Sequence, residues 1–260
     1  MSEPNKSEAI KCEHIKLTKA DGIAEILIDR PEKLNAITPE MFVALRDARR
    51  DINDDPDVRV VIIHGAGDRA FSAGTDLKTL DSYADAWAWR NRVDYATQLR
   101  RITKPTIAAM KGWAVGGGLE IAINCDIRVA ARSTKIGAPE VKHGWLGGGG
   151  QTQMLTRLVG YGKAMLICLT GEPFSAEEAY RMGVVEMLVD DGQEVIVARE
   201  LAAKIAKHTA IATQTVKEGI RAALNGTLDG ASRYENDLMV LAFALGNQRA
   251  GIDNFTSRKD

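Results

Sequence analysis

Three consecutive glycines, Gly116-Gly117-Gly118, join an apolar strand-like stretch, Thr106 to Met110, to a helix-like one, Leu119 to Cys125. No other feature restricts the chain as much. Backbone without Cβ atoms can turn sharply and let another group approach its N–H donors closely. If a helix begins at these glycines, its first N–H groups point outward unpaired, with the positive end of the dipole behind them. Such a start suits an anion, or an oxygen that becomes one during a reaction. Glu120 would put a carboxylate beside it. Taken alone, the stretch also fits an ordinary glycine loop followed by an acid that compensates the helix dipole. A capping box does not apply, because Gly117, three residues before Glu120, is neither Ser nor Thr. The rest of the chain decides between the two.

At 260 residues there is room for one large domain or two small ones. A hydrophobic content of 45% with 27% charged residues is that of an ordinary globular protein. The net charge of −1 gives no reason to expect nucleic acid or an anionic membrane as partner. Cys12, Cys125 and Cys168 are odd in number and widely spaced, so they fit reduced core residues, not a disulfide framework or a metal site. Polar residues dominate Met1 to Lys11, which predicts a flexible tail over 1–12, neither signal peptide nor anchor. No apolar run reaches membrane-spanning length, and the expected location is the cytoplasm.

Along the chain, Glu13 to Thr18 and Ile23 to Ile28 alternate apolar and polar residues around Asp21-Gly22, a hairpin pattern. Thr38-Pro39 opens a helix expected to run to about Asn53. Val58 to His64 is a β-branched run, hence a buried strand. Ala70-Phe71-Ser72 begins as a strand and meets Gly74. Ala84 to Ile102 reads as one helix with Trp87, Trp89, Val93, Tyr95 and Leu99 on its apolar face. Further strands are expected at Ile127 to Ala130 and Val184 to Val189, and helices at Gln151 to Val159, Gly162 to Leu169 and Ser175 to Gly183. From Gln193 the pattern is helical, with breaks at His208 and Gly226-Thr227. Repeated strand and helix units predict an α/β fold with mainly parallel pairing. An apolar helical tail suggests packing on a neighbouring subunit.

Four motifs in order, Arg30-Pro31…Asn35-Ala36, Phe71-Ser72-Ala73-Gly74-Thr75-Asp76-Leu77-Lys78, Gly116-Gly117-Gly118-Leu119-Glu120…Cys125-Asp126 and Gly137-Ala138-Pro139-Glu140, resemble the crotonase (enoyl-CoA hydratase/isomerase) superfamily. Thr170-Gly171-Glu172…Gly183-Val184-Val185 is similar too, so the likeness covers nearly the whole chain. It implies a crotonase-like spiral of ββα units over 13–192 with the acyl-CoA site, and a C-terminal helical trimerisation region over 193–260. It also implies acyl-CoA thioesters as substrates, coenzyme A being part of the substrate and no separate cofactor, and a homotrimer or dimer of trimers. The family's oxyanion hole, two backbone N–H groups, matches Thr75 and Gly117. The two glutamates of its hydratases match Glu120 and Glu140, which by themselves could also be first-turn acids. Hydration needs a base to take a proton from water and an acid to protonate the α-carbon, and two carboxyl groups can share those duties. The loop around Asn35-Ala36 and the segment Ala73, Gly74, Asp76 and Leu77 would hold adenine and pantetheine through backbone groups, with Lys33 and Lys78 toward the phosphates. Gly116, Gly148 and Trp145 are further candidates for the substrate wall. His143 shares that position, and Trp145 also fits the core. Trp87 and Trp89 fit helix packing.

The chain departs from the family in two places. A Pro-Gly-x-Gly-Gly-Thr-Gln-Arg run is replaced by Gly147-Gly148-Gly149-Gly150-Gln151-Thr152-Gln153-Met154, and the run 248–255 lacks the expected acidic-Gly and Lys-Arg-Pro pattern. The expected activity is syn addition of water to a 2-enoyl-CoA. A double-bond isomerase, another acyl-CoA lyase or hydrolase of the family, and a non-catalytic acyl-CoA-binding protein are the alternatives.

Overall fold

The computed structural model describes residues 12–245 together with 248, 249 and 252. Most of the predicted tail over 1–12 and most of the run 248–255 lie outside the described residues. Ile15–Ala20 (β1) and Ile23–Ile28 (β2) form the expected hairpin, pairing Ala20 with Ile23. Asp21 and Gly22 both take positive φ, 52° and 78°, the turn whose twist matches that of its strands.

Thereafter one pattern recurs. A strand enters a large sheet, the next short strand enters a second sheet, and helix returns the chain. Val60–Gly65 (β3) is followed by Ala70–Ser72 (β4), Thr106–Met110 (β5) by Trp113–Val115 (β6), and Ile127–Ala131 (β7) by Lys135–Gly137 (β8). With Phe174–Ser175 as β9 and Met187–Val189 as β10, the large sheet runs β1-β2-β3-β5-β7-β10 and the small one β4-β6-β8-β9. Only β1–β2 and β8–β9 are antiparallel. Each ββα unit therefore moves the chain one strand along both sheets, which is a spiral.

Side chains alternate along a strand, so a covered parallel sheet feeds two cores. Val61, Ile63, Ala108, Met110 and Ala130 join one, with Phe71, Ala114 and Ile136 of the small sheet and the buried faces of Pro39–Asp54 (α1) and Gly117–Asn124 (α4). Val60, Ile62, Ile107, Ala109 and Val129 join the other. Glu194–Ala206 (α8) covers that second face, burying Ala198 and Ala202, so this helix of the C-terminal third is part of the sheet's packing.

The single helix expected over 84–102 is two short ones, Ala86–Arg90 (α2) and Tyr95–Arg100 (α3). Two aspartates impose the division. Asp85 accepts from Ala88 N–H and Asp94 from Thr97 N–H, each at 2.7 Å, so each caps a new start instead of continuing a helix. Trp87 is consequently 67% exposed and packs on no core. Gln151–Val159 (α5), Tyr161–Thr170 (α6) and Ala176–Met182 (α7) follow expectation, α7 with a reciprocal Ser175–Glu178 capping box. Ala210–Ala223 (α9) is pinned to the sheet by Lys217 and Arg221, both paired with Asp126. Leu228–Ala244 (α10) packs on α9 and leaves Met239, Val240, Leu241 and Phe243 exposed. Among the described residues no helix is long and apolar enough to cross a membrane. The three cysteines are free thiols, Cys125 buried and the other two half-buried.

Candidate active site

Because β4, β6 and β8 pair in parallel, their C-terminal ends lie side by side. They lead into Ala73-Gly74-Thr75, Gly116-Gly117 and Ala138-Pro139-Glu140. Three motifs far apart in sequence thus meet at one mouth. A cavity of about 530 Å³ opens there, lined among others by Ala73, Thr75, Leu77, Gly116, Gly117, Glu120, Glu140, Trp145 and Gly148. A larger hollow of about 980 Å³ lies between α9, α5 and the Asp126 end of β7 and holds none of these residues.

Neither Thr75 N–H nor Gly117 N–H donates to an acceptor among the described residues. Gly117 opens α4, where the first N–H groups have no intrahelical partner. Gly74 has φ +83°, and a Cβ there would sit 2.5 Å from Gly117 N, so only glycine lets the two donor segments touch. Behind them stands Tyr95, fully buried, its hydroxyl 3.0 Å from Thr75 Oγ1. Burial pushes the Tyr95 phenol up, which keeps it a neutral hydrogen-bonding hydroxyl. A Cβ on Gly117 would fall 1.6 Å from that oxygen.

Glu120 is buried in the first turn of α4, and its Oε1 accepts Gly149 N–H at 2.7 Å. Asn124, one turn on, donates to the carbonyls of Gly149 and Glu120, both at 2.8 Å, which clamps the glycine loop to the helix. Glu140 follows Pro139 in a 3₁₀ turn, and its Oε2 accepts from Gln151 Nε2 at 2.8 Å. Gln151, where the family pattern has glycine, therefore orients the second carboxyl group. Burial pushes Glu120 up to about 8, Asp94 and Glu140 add to that, and the Gly149 N–H and Arg92 oppose it. A carboxyl raised from its unfolded value stabilises the fold most below pH 4.5, and that contribution fades as pH rises toward 8. Glu120→Gln should therefore melt above wild type at pH 9, by the equivalent of a few kcal/mol on the order of 1.4 kcal/mol per pH unit, with the gap closing by pH 5. Thermal unfolding at the two pH values reads this directly.

The remaining expected residues lie outside the cavity. Asn35 is fully buried and spends its side chain on Arg30 N–H and on the carbonyls of Ala66 and Ala70. Ala36 gives its N–H to Lys33 O and its carbonyl to Arg30, whose guanidinium also pairs with Asp76 at 2.7 Å. Lys33 and Lys78 are exposed. Trp145 is no core residue: it is 43% exposed, stacked with His143 at the cavity wall. Trp89 also lines the cavity, although its spacing suggested helix packing. Tyr95, Asn124 and Arg92 were not singled out by sequence. Tyr95 reads there as one apolar position among several, and only Asn124, four residues after Glu120, had a usable signal.

Matching residues 18–260, the model of the enoyl-CoA hydratase/isomerase family covers most of the chain, which belongs to that family. A probable enoyl-CoA hydratase of Mycobacterium tuberculosis is 35% identical over 249 residues, 95% of this chain and 96% of the relative. The crotonyl-CoA hydratase of Syntrophomonas wolfei is 34% identical, over 95% and 96%. Among solved structures, DspI of Pseudomonas aeruginosa superposes with a TM-score of 0.91 at 32% identity, covering 98% of both chains. The spiral described above is thus the crotonase fold.

Proposed function

We propose that the protein hydrates a 2-enoyl-CoA thioester. The observation that carries this is the convergence of two unpartnered backbone N–H groups and two carboxyl groups on one cavity. The thioester carbonyl would lie between Thr75 N–H and Gly117 N–H, where the charge of the enolate that forms during addition is met by fixed donors. Glu120 takes a proton from water as its oxygen adds to the β-carbon, and Glu140 gives a proton to the α-carbon on the same face. Afterwards Glu120 holds a proton and Glu140 has lost one, so the pair resets by moving a single proton. Burial leaves the proton of the empty pair on Glu120 at neutral pH, so each hydration cycle begins with that proton passing to Glu140.

The acyl-CoA would run past Ala73, Leu77, Gly116, Gly148 and Trp145, with Lys33 and Lys78, exposed cations of the motif loops, for the CoA phosphates. Gly74, Asn35, Ala36 and Asp76 would shape those loops from behind. Coenzyme A enters with the substrate, and no further cofactor is needed. Exposed apolar residues on α6 and α10 support assembly into a homotrimer or a dimer of trimers, and the cytoplasm is the proposed location.

Loss of enoyl absorbance on adding crotonyl-CoA tests the proposal. Hydration changes no net proton count, so kcat/KM must share one pH profile in both directions. It should fall about tenfold per pH unit above about 8, as the pair loses its proton. Absence of any enoyl-CoA turnover, with thioester binding intact, would leave a binding protein instead.

A further inference from the structure

Among the described residues, Arg92 is the only Lys or Arg lining the active-site cavity. Its guanidinium lies 3.9 Å from the centre of the Trp89 ring, and its side chain is 15% exposed. Nη1 donates to Trp89 O at 2.9 Å. Nε is buried with no hydrogen-bond partner, and Nη2 has none either. Asp94 stands 3.6 Å from Nη2, beyond hydrogen-bond reach, and its other oxygen is committed to Thr97 N–H. Asp94 therefore balances the charge without filling the fork. A Cβ on Gly148 would touch Nη2 at 3.4 Å, so the guanidinium borders the glycine loop that holds Glu120.

A guanidinium whose buried Nε donor has no partner is costly, and a plain alkyl chain would leave it so. Nε and Nη2 form the edge of a guanidinium that matches a carboxylate with two parallel hydrogen bonds. Resting on the acyl-CoA reading of this cavity, we propose that the acyl group of the substrate carries a second carboxylate, bound by Arg92 beside Glu120. Asp85 and Asp94, the other acids of this wall, are both tied to helix starts, and Asp94 opposes the incoming anion. Asp94→Asn should accordingly strengthen that binding.

The test uses saturated thioesters, which bind without turnover. Calorimetry with glutaryl-CoA and with pentanoyl-CoA, equal in chain length, should show wild type preferring glutaryl-CoA about 10- to 100-fold. Arg92→Gln should abolish the preference by weakening glutaryl-CoA alone, and Arg92→Lys should keep part of it, as a point charge without the fork. Equal affinity of wild type for the two thioesters overturns the proposal, and needs no variant to be seen. So does an Arg92→Gln protein that loses both equally. If Arg92 serves only to tune Glu120, Arg92→Gln moves the pH profile with glutaconyl-CoA and with 2-pentenoyl-CoA alike and leaves their ratio unchanged, which also counts against it. Failure to hydrate either enoyl-CoA would sink the hydratase reading while these affinities still decide the role of Arg92.

Discussion

Glu120→Gln and Glu140→Gln should each lower kcat for hydration of crotonyl-CoA by about 10²–10⁴, with KM nearly unchanged. Glutamine preserves shape and most contacts. At position 120 its amide oxygen can still accept Gly149 N–H, now at 2.7 Å to the carboxylate, and at position 140 it can still accept from Gln151. What is removed is the proton that each group gives or takes. Since one proton serves both carboxyl groups, the double variant should be little worse than either single one, as for residues that act as a unit. Steady-state rates for the three variants separate the possible chemistries. A double-bond isomerase working through Glu140 alone would keep its activity in Glu120→Gln. Multiplicative losses in the double variant would contradict the shared proton.

The parts of this site that are legible in sequence are those made by backbone. Gly74 must be glycine because the Gly117 main chain touches it, and Gly117 because the Tyr95 hydroxyl does, and such a demand leaves a mark at one position. Glu120 and Glu140 show as acids beside those marks. Tyr95, Asn124 and Gln151 do not, because their partners are set by how the spiral stacks its turns: Thr75 is 20 residues from Tyr95, and Gly149 is 25 from Asn124. The division of α2 from α3 was hidden for a different reason. Asp94 is compatible with a helix interior by polarity and period, and acts as a cap only because Thr97 N–H is offered to it. The Asn35 side chain holds its motif loop to Ala66 and Ala70, which fits a loop that offers ligand only its backbone groups.

Gly117→Ala should cost at least 10²–10³ in kcat, the loss expected when an oxyanion donor is displaced. The added methyl carbon would stand 1.6 Å from Tyr95 Oη and 2.8 Å from Cζ, distances no side chain tolerates. Tyr95 cannot swing aside freely. It is fully buried, its ring packs on Phe42 with centroids 4.8 Å apart, and its hydroxyl holds Thr75. Relief must therefore come from α4, whose first N–H would move away from Thr75 N–H, so chemistry and stability fall together. Tyr95→Phe tests this route. It removes the 1.6 Å conflict but leaves the ring carbon at 2.8 Å, so Gly117→Ala combined with Tyr95→Phe should recover part of the lost melting temperature while kcat stays low. Coupling between the two substitutions, read from a thermal-unfolding cycle, should exceed about 0.5 kcal/mol. A Gly117→Ala enzyme that turns over crotonyl-CoA within threefold of wild type would mean that Gly117 N–H is not the donor that the enolate oxygen uses.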